Sequence, residues 1–132
     1  MIQLGNSSKI VFRLTERDIV CIPVDSLVYI EADGNYSKLY TLDNRVILIT
    51  TQLGTLLKDL AYQLQKTSNL IIRVGRSHII NMKYVHRVDI TRGKLTLSDC
   101  ISYCKEIQLS ENALISISEL ITELDNNDDR YE

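Results

Sequence analysis

Glycine and proline are scarce in this sequence, and tryptophan is absent. Its 132 residues include five glycines, one proline and no tryptophan. A chain with so few loop-forming residues offers little of the irregular structure that usually carries enzyme active sites. The sequence also has neither a Gly-x-Gly-x-x-Gly pattern nor a Walker loop for binding phosphate groups. We therefore expect a protein that is not an enzyme.

Long hydrophobic runs and an export signal are missing as well. No apolar stretch approaches the ~18–20 residues that a membrane-spanning helix needs. The N-terminal segment lacks a basic stretch followed by an apolar core, which is the pattern of a signal peptide. We therefore expect a cytoplasmic protein with no membrane partner.

The cysteines Cys21, Cys100 and Cys104 do not follow the spacing of a metal site. A structural zinc site uses four ligands, usually in two closely spaced pairs, whereas this chain offers one cysteine pair and two isolated histidines. Thiols stay reduced in proteins that are not exported. We expect three free cysteines that pack as small buried hydrophobic side chains, with no metal ion and no cofactor.

The two signs of charge are unevenly distributed along the chain. Residues 1–105 contain 14 Lys and Arg against 9 Asp and Glu, a net +5, whereas residues 106–132 contain 1 against 8, a net −7. A basic body with an acidic end favours an anionic partner such as nucleic acid. An ordinary solvent-exposed surface of mixed charge is the alternative.

Alternation of apolar and polar residues dominates the chain and predicts mainly β-structure in antiparallel pairs. Within 36–42, for example, Ser37, Leu39 and Thr41 fall on one face. Ser77 is expected to cap a single short turn within 76–81. Strands are expected at 9–14, 17–22, 27–31, 36–42, 45–50, 70–74, 84–91, 94–98 and 101–109.

Two segments change to helical periodicity. Residues 52–66 place leucines on one face, with Thr51 as the expected N-cap, and residues 110–124 do the same after Ser110. The last eight residues, 125–132, are strongly acidic and are expected to form a frayed tail. The sequence therefore predicts one domain over 9–124, with about two helices in a mainly β fold.

Three segments, in this order and spacing, resemble the LytTR DNA-binding domain family. The first is LVYIEADGNY at 27–36, the second is the leucine-rich helix, and the third is IRVGRSHIINMKYV at 72–85. The family shows an I-E-A-x-G-N-Y strand and turn, a leucine-rich helix, and then R-V-H-R-S-[FY]-[IV]-[IV]-N. The resemblance covers about residues 9–124, and the third segment is its most specific part.

The resemblance implies an elongated arrangement of antiparallel sheets that reads DNA through loops. Family members are bacterial transcription regulators that bind direct repeats in promoters, usually as the output domain of a response regulator. It also implies double-stranded DNA as the partner, with a homodimer on DNA and a signalling protein as further candidates. A receiver domain, which needs ~120 residues of its own, does not fit within this chain.

The positions that match the family's contact regions are the candidate DNA-binding residues. A hydroxyl can meet a base edge or a phosphate, an ammonium suits a phosphate, and an arginine fork suits either. Local roles are the alternatives: a turn for Asn35, backbone hydrogen bonds for Asn81, and an ion pair for the neighbouring Arg73. The candidates are Asn35, Ser37, Lys38, Arg76, Ser77, His78, Asn81, Lys83 and Asn112.

Two departures from the family pattern weigh against DNA contact. Gly75 stands where the family has a histidine, and Glu111 stands where it has a cation. A carboxylate is repelled by phosphates, so the region around Glu111 is a doubtful DNA contact. The alternative function is therefore a protein-interaction module with a LytTR-like fold and weakened DNA binding.

Overall fold

The computed structural model describes residues 9–65 and 70–126, which form ten strands and two α-helices in two compact units. The first unit is Met1–Lys83 and the second is Tyr84–Glu132. Short 3₁₀ turns occupy Val24–Ser26 and Met82–Tyr84. The helices are α1 Leu53–Gln63 and α2 Glu111–Asn126. The strands are β1 Lys9–Thr15, β2 Asp18–Pro23, β3 Leu27–Asp33, β4 Tyr36–Thr41, β5 Val46–Ile49, β6 Ile71–Val74, β7 His78–Asn81, β8 Val85–Asp89, β9 Lys94–Ser98 and β10 Cys104–Gln108.

The first unit contains two antiparallel sheets and α1. Strands β1 and β2 form a hairpin, and the larger sheet has the order β5-β4-β3-β7-β6. Helix α1 packs on β3 and β7, because its leucine face is apolar. The alternation predicted in β4 is confirmed, since Ser37, Leu39 and Thr41 are all buried. The core consists of Ile10, Phe12, Ile22, Val24, Leu27, Ile30, Leu39, Ile49, Leu53, Leu56, Leu60, Leu64 and Ile79.

The second unit contains the antiparallel sheet β10-β9-β8, with α2 packed against β8. The predicted N-cap of α2 is confirmed, because the Ser110 hydroxyl accepts a hydrogen bond from the Ala113 N–H at 3.2 Å. Ala113, Leu114 and Ile117 form the buried face of this helix. The mainly β fold with two helices therefore agrees with the sequence prediction.

Several local predictions were wrong. Thr51 does not cap α1, which starts after Gln52 without a side-chain cap. Of the expected short turn at 76–81, only residues 76 and 77 are in a turn, and residues 78–81 form strand β7. Ile79 and Ile80 gain more from burial in the sheet than from a local turn. Residues 125 and 126 extend α2; the rest of the predicted tail and Lys66 lie outside the described residues.

The cysteines were also predicted incorrectly in one respect. All three are free, as expected, but Cys21, Cys100 and Cys104 are exposed rather than buried. Cys21 and Cys104 lie on the solvent-facing side of their strands, and Cys100 lies in the β9–β10 loop. Over residues 9–65 and 70–126, no cluster of three or more His, Cys, Asp or Glu could hold a metal ion. Neither helix in these ranges is long and apolar enough to cross a membrane.

Candidate nucleic-acid interface

Two tight turns of the first unit lie at the same end of its five-stranded sheet. Strands β3 and β7 are antiparallel with Glu31 opposite His78, so the turn after β3 lies beside the turn before β7. The Ala32 N–H donates to the Ser77 carbonyl at 2.8 Å, which joins the two turns directly. We call residues 34–35 and 75–77 together the double-turn end.

The start of α1 lies at this end too. Because β5 is antiparallel to β4, with Ile49 opposite Ser37, the chain leaving β5 returns to the double-turn end. The buried Ser37 hydroxyl donates to the Thr51 carbonyl at 2.7 Å. The Gln52 amide donates to Asn35 Oδ1 at 3.2 Å. These bonds hold the first turn against the helix start.

The turn at 34–35 presents polar groups outward on a small backbone. Gly34 has φ +65°, a conformation that glycine adopts without strain, and a Cβ added there would meet nothing within 4 Å. Asn35 is exposed, and its acceptor oxygen is already used by Gln52. Its amide NH₂ therefore remains available to donate to an acceptor from outside the protein.

The turn at 75–77 is braced by an arginine. Arg73 Nη2 donates to the Arg76 carbonyl at 2.9 Å, and Gly75 has φ +61°. Glycine therefore stands at position 75 because the turn uses left-handed backbone geometry. The exposed Arg76 guanidinium has no hydrogen bond or ion pair with any residue that the structure describes. Its five N–H donors are therefore available to an acceptor from outside the protein.

A polar network lies behind the two turns on one face of the sheet. Glu31 is opposite His78 on one side and Lys38 on the other. Its carboxylate approaches His78 Nε2 at 3.6 Å and accepts from the Tyr40 hydroxyl at 3.1 Å, while Lys38 Nζ lies 3.4 Å from Asp33. Burial and the Glu31 carboxylate raise the pKa of Tyr40. His78 is therefore tied inward rather than extended toward solvent.

Acidification is expected to destabilise the first unit through His78. Burial lowers its pKa below the ordinary value of 6.5, although the Glu31 carboxylate acts in the opposite direction. The stability due to the neutral imidazole is thus complete above pH 6.5 and is lost as the pH falls from there through the folded-state pKa. The interval from pH 7 to pH 5 spans the ordinary histidine pKa of ~6.5. Over this interval, the melting temperature of His78→Gln should decline less than that of the wild type. Parallel declines would contradict this assignment.

Comparison with known protein families identifies the family of this chain. The model of the LytTR DNA-binding domain matches residues 17–122, most of the chain. The chain belongs to the LytTR DNA-binding domain family. No curated protein sequence is significantly similar to it.

A solved structure supports the LytTR fold. It is the LytTR DNA-binding domain of a Bacillus cereus protein described as a methyl-accepting/DNA response regulator, with a TM-score of 0.57 and 20% sequence identity. The alignment covers 86% of this chain and 96% of the other. At this identity the similarity establishes the fold, and it confirms the antiparallel LytTR-like sheets predicted from the sequence.

The LytTR fold separates the sequence-predicted residues into groups. Asn35, Arg76 and Ser77 are exposed at the double-turn end, and Lys38 and His78 lie just behind them. Strand β7 has four residues and spans about 13 Å at ~3.3 Å per residue. Asn81 and Lys83 therefore lie at the opposite end of the sheet.

Two predicted residues have structural roles in this LytTR domain. Ser37 is 0% exposed, and its hydroxyl is bonded to Thr51. Asn81 is 1% exposed; its amide donates to the Leu27 carbonyl at 2.8 Å and its oxygen accepts from the Lys83 N–H at 3.1 Å. Neither side chain reaches the surface, so we omit both from the proposed DNA contacts.

The remaining predicted residues lie outside the double-turn end. Lys83 Nζ pairs with Asp25 at 3.0 Å, beside the start of β3. Asn112 is exposed in the first turn of α2, in the second unit, next to the exposed Glu111. Asn112 is therefore the one predicted residue that lies in the second unit.

The residues that brace the double-turn end were not predicted from the sequence. Arg73 was expected to pair with a carboxylate, but it bonds the backbone of the adjacent turn. Gln52 was not considered, although it links Asn35 to the start of α1. The Arg73 to Arg76 spacing suits a side chain that folds back over a tight turn, whereas the contact of Gln52 spans 17 residues and left no local signal.

Proposed function

We propose that this LytTR domain binds double-stranded DNA sequence-specifically through the double-turn end and regulates transcription. The observation that supports it most is the exposed Arg76 guanidinium, which has no partner among the described residues and lies at the same end of the sheet as the Asn35 amide. Arg73 braces the backbone of the turn that carries it. An arginine fork can bind a phosphate, a guanine edge or a narrow minor groove. The amide can donate to a phosphate or a base acceptor.

The surrounding groups suit a close approach of DNA. Gly34 and Gly75 lack side chains, so the turns themselves can approach the duplex without obstruction. Lys38 adds a cation near its partner Asp33, with about 39% of its side chain exposed. Ser77 adds an exposed hydroxyl within the second turn. Together these groups supply the hydrogen-bond donors and positive charge that the phosphate oxygens of DNA can bind.

The family assignment extends the proposal to its biological setting. LytTR domains bind DNA and are not catalytic, which agrees with the expectation that the chain is not an enzyme. We propose that it recognises direct repeats in promoters in the bacterial cytoplasm, with one copy on each repeat and with a signalling protein as an upstream partner. The family match does not favour the protein-interaction alternative.

Salt dependence tests whether this contact is to DNA. Each phosphate contact releases counterions, so log affinity should fall linearly with log salt, with a slope of about 0.9 for each contact. Arg76→Ala should reduce that slope by about one contact. Affinity that is independent of salt, or an unchanged slope in Arg76→Ala, would refute DNA binding through Arg76.

Charge reversal at the start of α2, which lies in the second unit, should tighten DNA binding. Glu111 is the first residue of α2. At this position a carboxylate interacts favourably with the helix dipole but is repelled by phosphates. Glu111→Arg is expected to raise affinity while lowering the free energy of unfolding by about 0.3–1 kcal/mol.

The matched control is Glu119→Arg, the same change at an exposed position in the middle of α2. It should affect affinity less than Glu111→Arg, because only the helix start matches the family's contact region. Equal gains from both variants would indicate a general charge effect and would remove the helix start from the interface.

A further inference from the structure

The second unit contains a cysteine and a histidine in direct contact. Cys100 Sγ lies 3.6 Å from His86 Nδ1, and both residues are exposed. The two come from different segments, since His86 is in β8 and Cys100 follows β9. A nucleophile and a base within hydrogen-bonding reach, from separate segments, form the arrangement that activates a thiol.

The position of His86 results from an irregularity in the sheet. Val85 lies opposite Leu97 and Arg87 lies opposite Thr96, so His86 is an extra residue without a partner in β9. A bulge of this kind redirects the side chain of the additional residue. The imidazole is thereby directed toward the loop that follows β9, where it meets Cys100.

The position of Cys100 is fixed by its loop. Cys100 has φ +61°, which is uncommon for a residue with a Cβ, and its N–H donates to Ser98 Oγ at 2.9 Å. Asp99 Oδ1 accepts from the backbone N–H groups of the three residues 101–103 at 2.9–3.0 Å. These bonds keep the pKa of Asp99 below its usual value, so the loop remains braced at neutral pH.

We propose that Cys100 is a modification site, at which His86 promotes thiol–disulfide exchange with low-molecular-weight disulfides. His86 accepts the thiol proton, and the Cys100 sulfur attacks one sulfur of the reagent. The reagent's S–S bond breaks and a mixed disulfide forms at Cys100. The other half leaves as a thiolate and takes the proton from the imidazolium, so one thiol and one disulfide are conserved.

The other two cysteines provide internal references. Cys21 and Cys104 are also exposed, yet neither contacts an imidazole among the residues that the structure describes. Cys104 is the closer match, because it lies in the same unit, on β10 opposite Ser98. Exposure alone therefore predicts similar reactivity for all three thiols, whereas the histidine contact predicts that the Cys100 thiol reacts faster than the other two.

The test compares two single-cysteine chains exposed to oxidised glutathione. One chain retains Cys100, with Cys21→Ser and Cys104→Ser; the other retains Cys104, with Cys21→Ser and Cys100→Ser. Intact-protein mass spectrometry follows the glutathione adduct over time. Cys100 should react about tenfold faster, below the ~100-fold typical of enclosed general bases because both groups are exposed to water.

The His86→Ala and His86→Gln variants decide whether the histidine is responsible. Each should slow Cys100 to the rate of Cys104 and leave the Cys104 chain unchanged, with circular dichroism confirming that the fold is retained. Equal rates for the two parent chains would overturn the proposal. A Cys100 rate that is insensitive to His86, or one that changes together with that of Cys104, would overturn it as well.

Discussion

Arg76→Ala is expected to weaken DNA binding by about 1–3 kcal/mol, or about 5- to 150-fold in Kd. The guanidinium is exposed and unpaired within the described residues, so its removal deletes a contact to DNA without disturbing the fold. Arg76→Lys keeps the charge but loses the planar fork. Its affinity should therefore lie between those of the alanine variant and the wild type.

Arg45→Ala is the matched control for this prediction. Arg45 is exposed like Arg76, but it pairs with Asp43 at 2.9 Å in the turn between β4 and β5, at the opposite end of the sheet. Its replacement should leave affinity nearly unchanged. Fluorescence anisotropy with labelled duplex measures both variants, and equal losses would show that the protein senses only total charge.

Asn81→Ala is expected to lower the free energy of unfolding by about 1.5–4.5 kcal/mol. It leaves the buried Leu27 carbonyl without its side-chain donor, at ~1–3 kcal/mol, and deletes the half-buried hydrogen bond from the Lys83 N–H, at ~0.5–1.5 kcal/mol. These two backbone groups, the Leu27 carbonyl and the Lys83 N–H, are both hydrogen-bonded to the Asn81 side chain. Urea denaturation followed by circular dichroism measures the loss.

Asn35→Ala provides the contrasting asparagine. Asn35 is exposed at the double-turn end, so its replacement should change stability by less than about 0.5 kcal/mol while weakening DNA binding. A stability loss at Asn35 as large as that at Asn81 would contradict the division between interface and framework residues. Unaltered stability of Asn81→Ala would contradict it equally.

The sequence predicted most strands because side-chain alternation records which face is buried. The period of two in β4 correctly placed Ser37, Leu39 and Thr41 on the buried face. Alternation cannot distinguish a buried hydroxyl with a partner from one that reaches DNA, because the acceptor for Ser37 is a backbone carbonyl 14 residues away. The internal hydrogen bond of Ser37 could therefore not be predicted from the alternation.

Long-range geometry explains the other differences. A short turn was expected over 76–81, but pairing with β3 and β6 fixes residues 78–81 as strand β7. That pairing also places Asn81 and Lys83 far from Arg76, although the three are close in sequence. The contacts made by Gln52 and His86 likewise depend on neighbours that only the folded chain supplies.

The central claim is that the double-turn end recognises a specific DNA sequence. It is tested most directly by incubating purified protein with fragments of its source genome, sequencing those retained, and repeating the selection with Arg76→Ala. The account predicts that the wild type enriches fragments sharing a repeated motif and that Arg76→Ala loses most of this enrichment. Retained fragments without a common motif, or the same enrichment by both proteins, would contradict it.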